Sequence, residues 1–159
     1  MIAGIAGHQN LGNAAAVDWT RGALMDLLER FPITSGLTSL AVGADQLFAE
    51  VLLEKRVPFD AVIPCARYEE AFEAPSLVSF ENLLSKASSR VVLPYPFPSE
   101  EAFWNAGKYI VDHSDLVVAV WDGEAARGLG GTGDVVQYAL TVGRKVFHVN
   151  PVDRTPRSL

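Results

Sequence analysis

One cysteine, Cys65, stands in 159 residues. That excludes an internal disulfide and any multi-cysteine zinc site within one chain, and it points to a reducing compartment. Long apolar runs are also missing. Although 49% of the residues are hydrophobic, charges or glycine interrupt every stretch well short of the ~18 residues a membrane span needs. The apolar start, residues 1–7, has no basic leader and is short for the ~7 to 15 residue centre of a signal peptide, so it reads as a first strand. A cytoplasmic protein with no membrane partner is the expectation. Cations are scarce as well: 13 Lys and Arg face 19 Asp and Glu, for a net charge of -6. With no basic stripe for sustained phosphate contacts, no nucleic-acid partner is expected. Any bound phosphate should be small, held by backbone amides and helix N-termini. No Gly-Lys-Ser or Gly-Lys-Thr occurs to make a Walker-type loop, and there is no internal repeat or low-complexity tract.

What is present is an alternation. Short apolar runs at 2–6, 39–42, 61–64, 91–94, 116–121 and 145–149 are mostly followed by segments of helical period. Val17, Leu24, Leu27, Leu28 and Phe31 share one helical face, with Pro32 and Gly36 ending that segment. Residues 45–55 give a second helix. Residues 67–88 give a helical region in two pieces, broken at Pro75 with Ser76 as cap. Ser99 caps a helix over 100–112, and 134–142 form the last one. The pattern predicts an α/β fold: one three-layer α/β/α Rossmann-like domain over residues 1–150, with a mostly parallel sheet of about six strands. Residues 151–159 read as a polar tail, mobile or reaching a neighbouring subunit. Ligands of such sheets bind beyond the carboxyl ends of the strands, which singles out the loops 7–10, 43–46, 65–68 and 122–133.

The stretch "GLGGTGDVVQYA", residues 128–139, satisfies G-x-G-x-x-G. A dinucleotide fingerprint, however, follows the first strand and has an acidic residue ~20 positions on. This one follows the fifth strand, and no suitable acid comes before the tail. The physics of the loop survives the failed pattern: its glycines, Thr132 and a helix beginning near Asp134 can set N–H groups around one phosphate. The plainer alternative is a surface loop whose glycines permit turns.

Taken together, Gly-x-x-Gly-His after the first strand, "VGAD" after the second, "IP" ending the third, "SDLVVAVWDG" and "GLGGTGDVVQYA" resemble the SLOG superfamily. That group includes the DNA-processing SMF/DprA proteins, YpsA-like proteins and LOG-like enzymes. The resemblance spans nearly the whole fold. It implies a Rossmann-like sheet binding nucleotides or nucleotide derivatives, as a homodimer or higher homo-oligomer. It assigns phosphate contacts to Gly130, Gly131 and Thr132, and puts Gly7 and Gly43 where backbone passes close to the ligand. LOG-type phosphoribohydrolases carry a proline-led Gly-Gly-x-Gly-Thr-x-x-Glu motif and an arginine on the preceding helix. Here Leu129 replaces the proline, Asp134 the threonine and Gln137 the glutamate, while Ala106, Gly107 and Lys108 occupy the arginine's neighbourhood. Glutamine cannot balance an oxocarbenium charge as a carboxylate does, so the "DG" of Asp122 and Gly123 beside the glycine loop fits the YpsA-like, ligand-sensing branch better.

The candidate ligand contacts are therefore Gly7, His8, Gly43, Ala44, Asp45, Gln46, Asn105, Asp122, Gly123, Gly130, Gly131, Thr132, Gly133 and Asp134. Each has a plainer reading. Asp45 caps a helix, His8 has no partner visible in sequence, Cys65 is a small packed residue, and Asp122 forms an Asp-Gly turn. Asp122 and Asp45 are the catalytic candidates. No metal set and no cofactor are assigned. The expected function is binding or sensing of a nucleotide or nucleotide-derived ligand. The alternative is an N-glycosidic-bond hydrolase acting on a nucleoside monophosphate.

Overall fold

The computed structural model describes residues 1–126 and 128–159. Seven strands form one sheet: β1 (Ile2–Gly7), β2 (Ser35–Thr38), β3 (Phe59–Ile63), β4 (Ser89–Val92), β5 (Leu116–Val120), β6 (Lys145–Asn150) and β7 (Thr155–Ser158). Their order is β4-β3-β2-β1-β5-β6-β7. The ladders from β4 to β6 are parallel, and β7 alone pairs antiparallel, on β6. The helices are α1 (Ala14–Arg30), α2 (Ala44–Glu54), α3 (Ala74–Lys86), α4 (Glu100–Asp112) and α5 (Thr132–Thr141), with a 3-10 turn at Tyr68–Ala71. This is the three-layer, Rossmann-like architecture expected from the sequence, with seven strands where about six were read. No described helix is long and apolar enough to cross a membrane.

The period of two along the strands divides the core. On β5, Leu116, Val118 and Val120 join Ile5, Leu24, Phe48 and Leu52 beneath α1, α2 and α3. Val117 and Ala119 instead join Val111, Val135 and Ala139 beneath α4 and α5. Asn13 caps α1 by accepting the Ala16 N–H at 2.9 Å. Ser99 caps α4, as read, by accepting the Ala102 N–H at 3.1 Å.

Several boundaries shift by one or two residues from the sequence reading, and three differences have a clear physical reason. The second strand lies at Ser35–Thr38 instead of 39–42, because Gly36 leaves room for Leu52 and Phe48 of α2 against the sheet and so removes the apolar signal there. Pro75 sits in the first turn of α3, with Glu73 at the N-cap. Proline is well placed there, since its missing N–H would be unpaired anyway; Ser76 lies inside the helix. Finally, part of the polar tail becomes β7.

Candidate functional site

Strand order reverses between β1 and β5. The helices that follow these strands cover opposite faces of the sheet, α1 through Leu24 and Leu27 on one and α5 through Val135 and Ala139 on the other, and such a parting opens a crevice above the carboxyl ends. A cleft of about 780 Å3 fills this position, a size suited to a small ligand. Gly7 and His8 end β1 at its base, Trp121 and Asp122 follow β5, residues 130–133 open α5, and Tyr68, Phe72 and Phe103 form an aromatic side wall.

The three glycines of the loop do different jobs. Gly131 is the N-cap of α5 at φ -63°, with no side-chain cap, a conformation open to any residue. Behind it the amides of Thr132 and Gly133 have no acceptor among the described residues, and the helix dipole adds partial positive charge at this point. Gly130 sits at φ +81°, and a Cβ there would lie 2.9 Å from Cβ of Trp104 on α4; glycine is needed for both reasons. Its N–H is already taken by the Asp134 carboxylate at 3.1 Å, so Gly130 does not offer the amide the sequence reading gave it. Gly133 leaves space for the backbone of Glu124 and Ala126 folded over the helix start. Within the 122–133 loop, Arg127 lies outside the described residues.

His8 has a partner after all. Its Nε2 lies 3.2 Å from Oδ1 of Asp122 and 3.2 Å from the Asp122 amide. The neutral ring nitrogen accepts that amide, and the protonated ring donates to the carboxylate. The pairing follows from register: Gly7 lies opposite Val120, and the His8 N–H bonds the Val120 carbonyl at 3.0 Å. Asp122 Oδ1 also accepts the Glu124 N–H at 3.0 Å. From behind, Asn150 Nδ2 donates to the Asp122 carbonyl at 3.3 Å and His148 Nε2 meets the Trp121 carbonyl at 2.7 Å. His8 and Asp122 are each about 30% exposed to the cleft.

Asp45 and Gln46 hold their own loop. Leu40 adopts φ +56°, and its N–H bonds Thr38 Oγ1 at 3.0 Å. Gln46 Nε2 donates to the carbonyls of Leu40 and Ser76, each at 3.2 Å, and Asp45 Oδ2 accepts the Ala41 N–H at 3.3 Å. Asp45 touches the cleft but is buried. Burial pushes its carboxyl up to about 7, against the lowering effect of bonds from the Ala41 and Ser39 amides and the Thr38 hydroxyl. Gly43, at φ +88°, has the His8 and Gln9 carbonyls where its Cβ would be, and the Ala44 N–H bonds the His8 carbonyl at 3.1 Å. Gly7 in turn has the Ala44 methyl and Val120 against it. Gly43 and Ala44 thus carry the β1 loop from beneath.

The structure brings Gly7, His8, Asp45, Asp122, Gly130, Gly131, Thr132 and Gly133 to the cleft; Gly43, Ala44, Gln46, Asn105, Gly123 and Asp134 do not line it. Asn105 turns its amide back to the Glu101 carbonyl at 2.9 Å. Gly123 turns behind Asp122 near His148. Cys65 is buried, and burial together with Glu69 and Glu70 pushes its thiol up, as suits a packed residue. Phe72, Phe103, Trp121, Pro151 and Val152 line the cleft and were not read as site residues. Pro151 and Val152 follow the carboxyl end of β6, so the strand-end rule would have found them.

No family model matches the chain, and no curated protein matches it. Solved structures do. DNA processing protein A (DprA) from Streptococcus pneumoniae aligns at TM-score 0.66 and 18% identity, over 92% of this chain and 49% of that one. A structure of the single-stranded DNA binding mode of DprA from Helicobacter pylori aligns at 0.61 and 15%, over 93% and 64%. The molybdenum cofactor binding protein from Rippkaea orientalis aligns at 0.61 and 17%, over 94% and 76%. The chain thus spans about half of the first protein and under two thirds of the second. One expectation is corrected here. Net acidity was read as excluding nucleic acid, yet a protein of this fold binds single-stranded DNA. The charge argument concerned a row of duplex phosphates, and a single strand can also be held by stacking of its bases. On these structures the chain has the Rossmann-like fold that these proteins share.

Proposed function

We propose that the cleft binds a nucleotide or nucleotide-derived ligand and that the protein is a binding or sensing module. The observation that carries this reading is the meeting of the Thr132 and Gly133 amides with the crevice between β1 and β5. Fold neighbours described as binding single-stranded DNA and molybdenum cofactor support a ligand of this kind. Charge narrows the class. Asp45, Asp122 and Glu124 line the cleft, and among the described residues no Lys or Arg does. Two amides and a helix dipole suit one negative charge; further phosphates would meet carboxylates. Monophosphates and phosphodiesters should therefore bind more tightly than triphosphates. A thermal-shift panel of mono- and triphosphates, cyclic dinucleotides and ADP-ribose checks this. A ligand at 100 times its Kd should add about 2.7 kcal/mol of stability. Stabilisation by unphosphorylated compounds alone would sink the phosphate reading.

The His8–Asp122 pair favours a second reading, cleavage of the N-glycosidic bond of a nucleoside monophosphate. In that reaction water adds at the anomeric carbon, the carbon–nitrogen bond breaks, and the base leaves with a proton. Asp122 would take the proton from water and His8 would supply one to the base. Chromatography of free base from a monophosphate panel tests it. Turnover that disappears in Asp122→Asn but survives in Gln137→Ala is the expected result for an enzyme; no base release from any member leaves binding alone.

A further inference from the structure

The cleft has a second built side whose chemistry differs from the phosphate end. Tyr68, after β3, is buried, and its ring meets Phe80 of α3 at 5.3 Å and Phe103 of α4 at 6.2 Å between centroids. Phe72 stacks on Phe80 at 4.6 Å and 19° and meets Tyr68 edge-on at 5.0 Å. Phe80 and Tyr68 bury the back of this cluster under α3, while the front is left open: Phe72 is half-buried and Phe103 is 38% exposed, and both line the cleft. Polar atoms are few on this side. Gln46 Nε2 is committed to the Leu40 and Ser76 carbonyls and the Asp45 carboxyl to the Ala41 N–H, and burial pushes the Tyr68 phenol up, keeping it neutral.

The wall is physically joined to the phosphate end. Gly130 rests against the backbone of Trp104, and Phe103 is the residue before it, so the first turn of α4 links the two. The carboxyl ends of β3 and β5 are three strand spacings apart in the order β3-β2-β1-β5, roughly 14 Å. Phe103 lines the cleft between them, its ring against Tyr68.

We infer that Phe103, Phe72 and Tyr68 form a stacking subsite for the planar base of a ligand whose phosphate lies at the start of α5. The inference rests on the phosphate reading above and adds the class of group at the other end. A ring left exposed at a cleft wall loses water when a base covers it, and stacking tolerates any base because each has a π face. Trp121, the other aromatic side chain of the cleft, is less available: its indole N–H donates to the Glu124 carbonyl at 2.8 Å and its ring leans on His148.

Calorimetric titration of the full chain with AMP, UMP, ribose 5-phosphate, adenosine and a short oligodeoxyadenylate tests this, repeated with Phe103→Ala, Phe103→Tyr and Phe72→Leu. AMP should bind more tightly than UMP, and both more tightly than ribose 5-phosphate. Phe103→Ala should weaken AMP about 5- to 150-fold, the usual range for losing one base–aromatic stack, and leave ribose 5-phosphate unchanged. Phe103→Tyr should restore AMP, and Phe72→Leu should weaken it with unchanged circular dichroism. An oligonucleotide that binds more tightly than AMP with the same Phe103 dependence makes a single strand the source of the base; a weaker one makes it a free nucleotide. Adenosine binding as well as AMP, still through Phe103, keeps the stacking subsite and removes the phosphate reading. AMP and ribose 5-phosphate binding alike, or AMP indifferent to Phe103→Ala, overturns the subsite and leaves the phosphate reading standing. Failure of every base-bearing ligand to bind overturns both.

Discussion

Asp45 shows what a carboxylate costs when it is spent on a loop. Taking it from water to a buried site raises its pKa from 3.8 to about 7, despite its hydrogen bonds, because desolvation penalises the charged form. Between those values the native state holds a proton that the unfolded chain has released, so stability falls as pH rises through the window. The contribution is fully present below about 4 and lost above about 7, about 4 kcal/mol in all at about 1.4 kcal/mol per unit. Asp45→Asn keeps an acceptor for the Ala41 N–H and cannot ionise. Melting curves from pH 4.5 to 8 should show the parent losing stability relative to Asp45→Asn, with the variant the more stable at pH 8. Parallel curves for the two proteins would mean Asp45 does not titrate there. Neither this burial nor the partner of His8 could be read from sequence. Asp122 is 114 positions away from His8, and the two meet through strand pairing between β1 and β5, which no local pattern encodes.

Among the elements, α5 begins where backbone shape and ligand contact can be separated. The sequence marks a glycine-rich helix start clearly, but it does not say which glycine is conformational. Gly130 occupies φ +81° against Trp104, whereas Gly131 at φ -63° has a backbone conformation that any residue adopts. Gly130→Ala should therefore cost about 1–3 kcal/mol of stability without ligand, from left-handed backbone strain and crowding of α4. Gly131→Ala, free of left-handed backbone strain, should cost less stability than Gly130→Ala. Gly131→Val, equally allowed by the backbone, places a branched side chain beside the free amides of Thr132 and Gly133 and should abolish phosphate-dependent binding. Thr132→Ala, which removes one hydroxyl, should cost binding about 0.5–1.5 kcal/mol. Chemical denaturation separates the first two effects, and titration with the best monophosphate the others. A Gly131→Val protein that binds as well as the parent would reduce the loop to a connector.

At the scale of the molecule, the layering was legible because β5 is a fully buried, continuous apolar run, β6 carries Val146, Phe147 and Val149 in its buried stretch, and the helices keep their period. The seventh strand was not. Thr155–Ser158 is exposed along its length and contains Pro156 and Arg157, the residues of an edge strand, which carry no apolar alternation. Its role is to cover β6. Residues 146–150 are buried; Phe147 through Asn150 pair with β7, and the Leu159 N–H closes on the Val146 carbonyl at 2.9 Å. Removing residues 155–159 leaves Pro151, Val152 and the bond from Asn150 to the Asp122 carbonyl in place, so the cleft keeps its lining. The open edge of β6, however, would present unpaired N–H and C=O groups beside a hydrophobic run, a template for pairing with a second chain. The shortened protein should melt several degrees lower, at roughly 2–4 °C per kcal/mol for a chain of this size. It should also run at a larger, concentration-dependent mass than the full chain in light scattering after size exclusion. Ligand affinity measured at low concentration should be unchanged. A truncated chain with the parent's mass and melting temperature would show that β7 protects nothing.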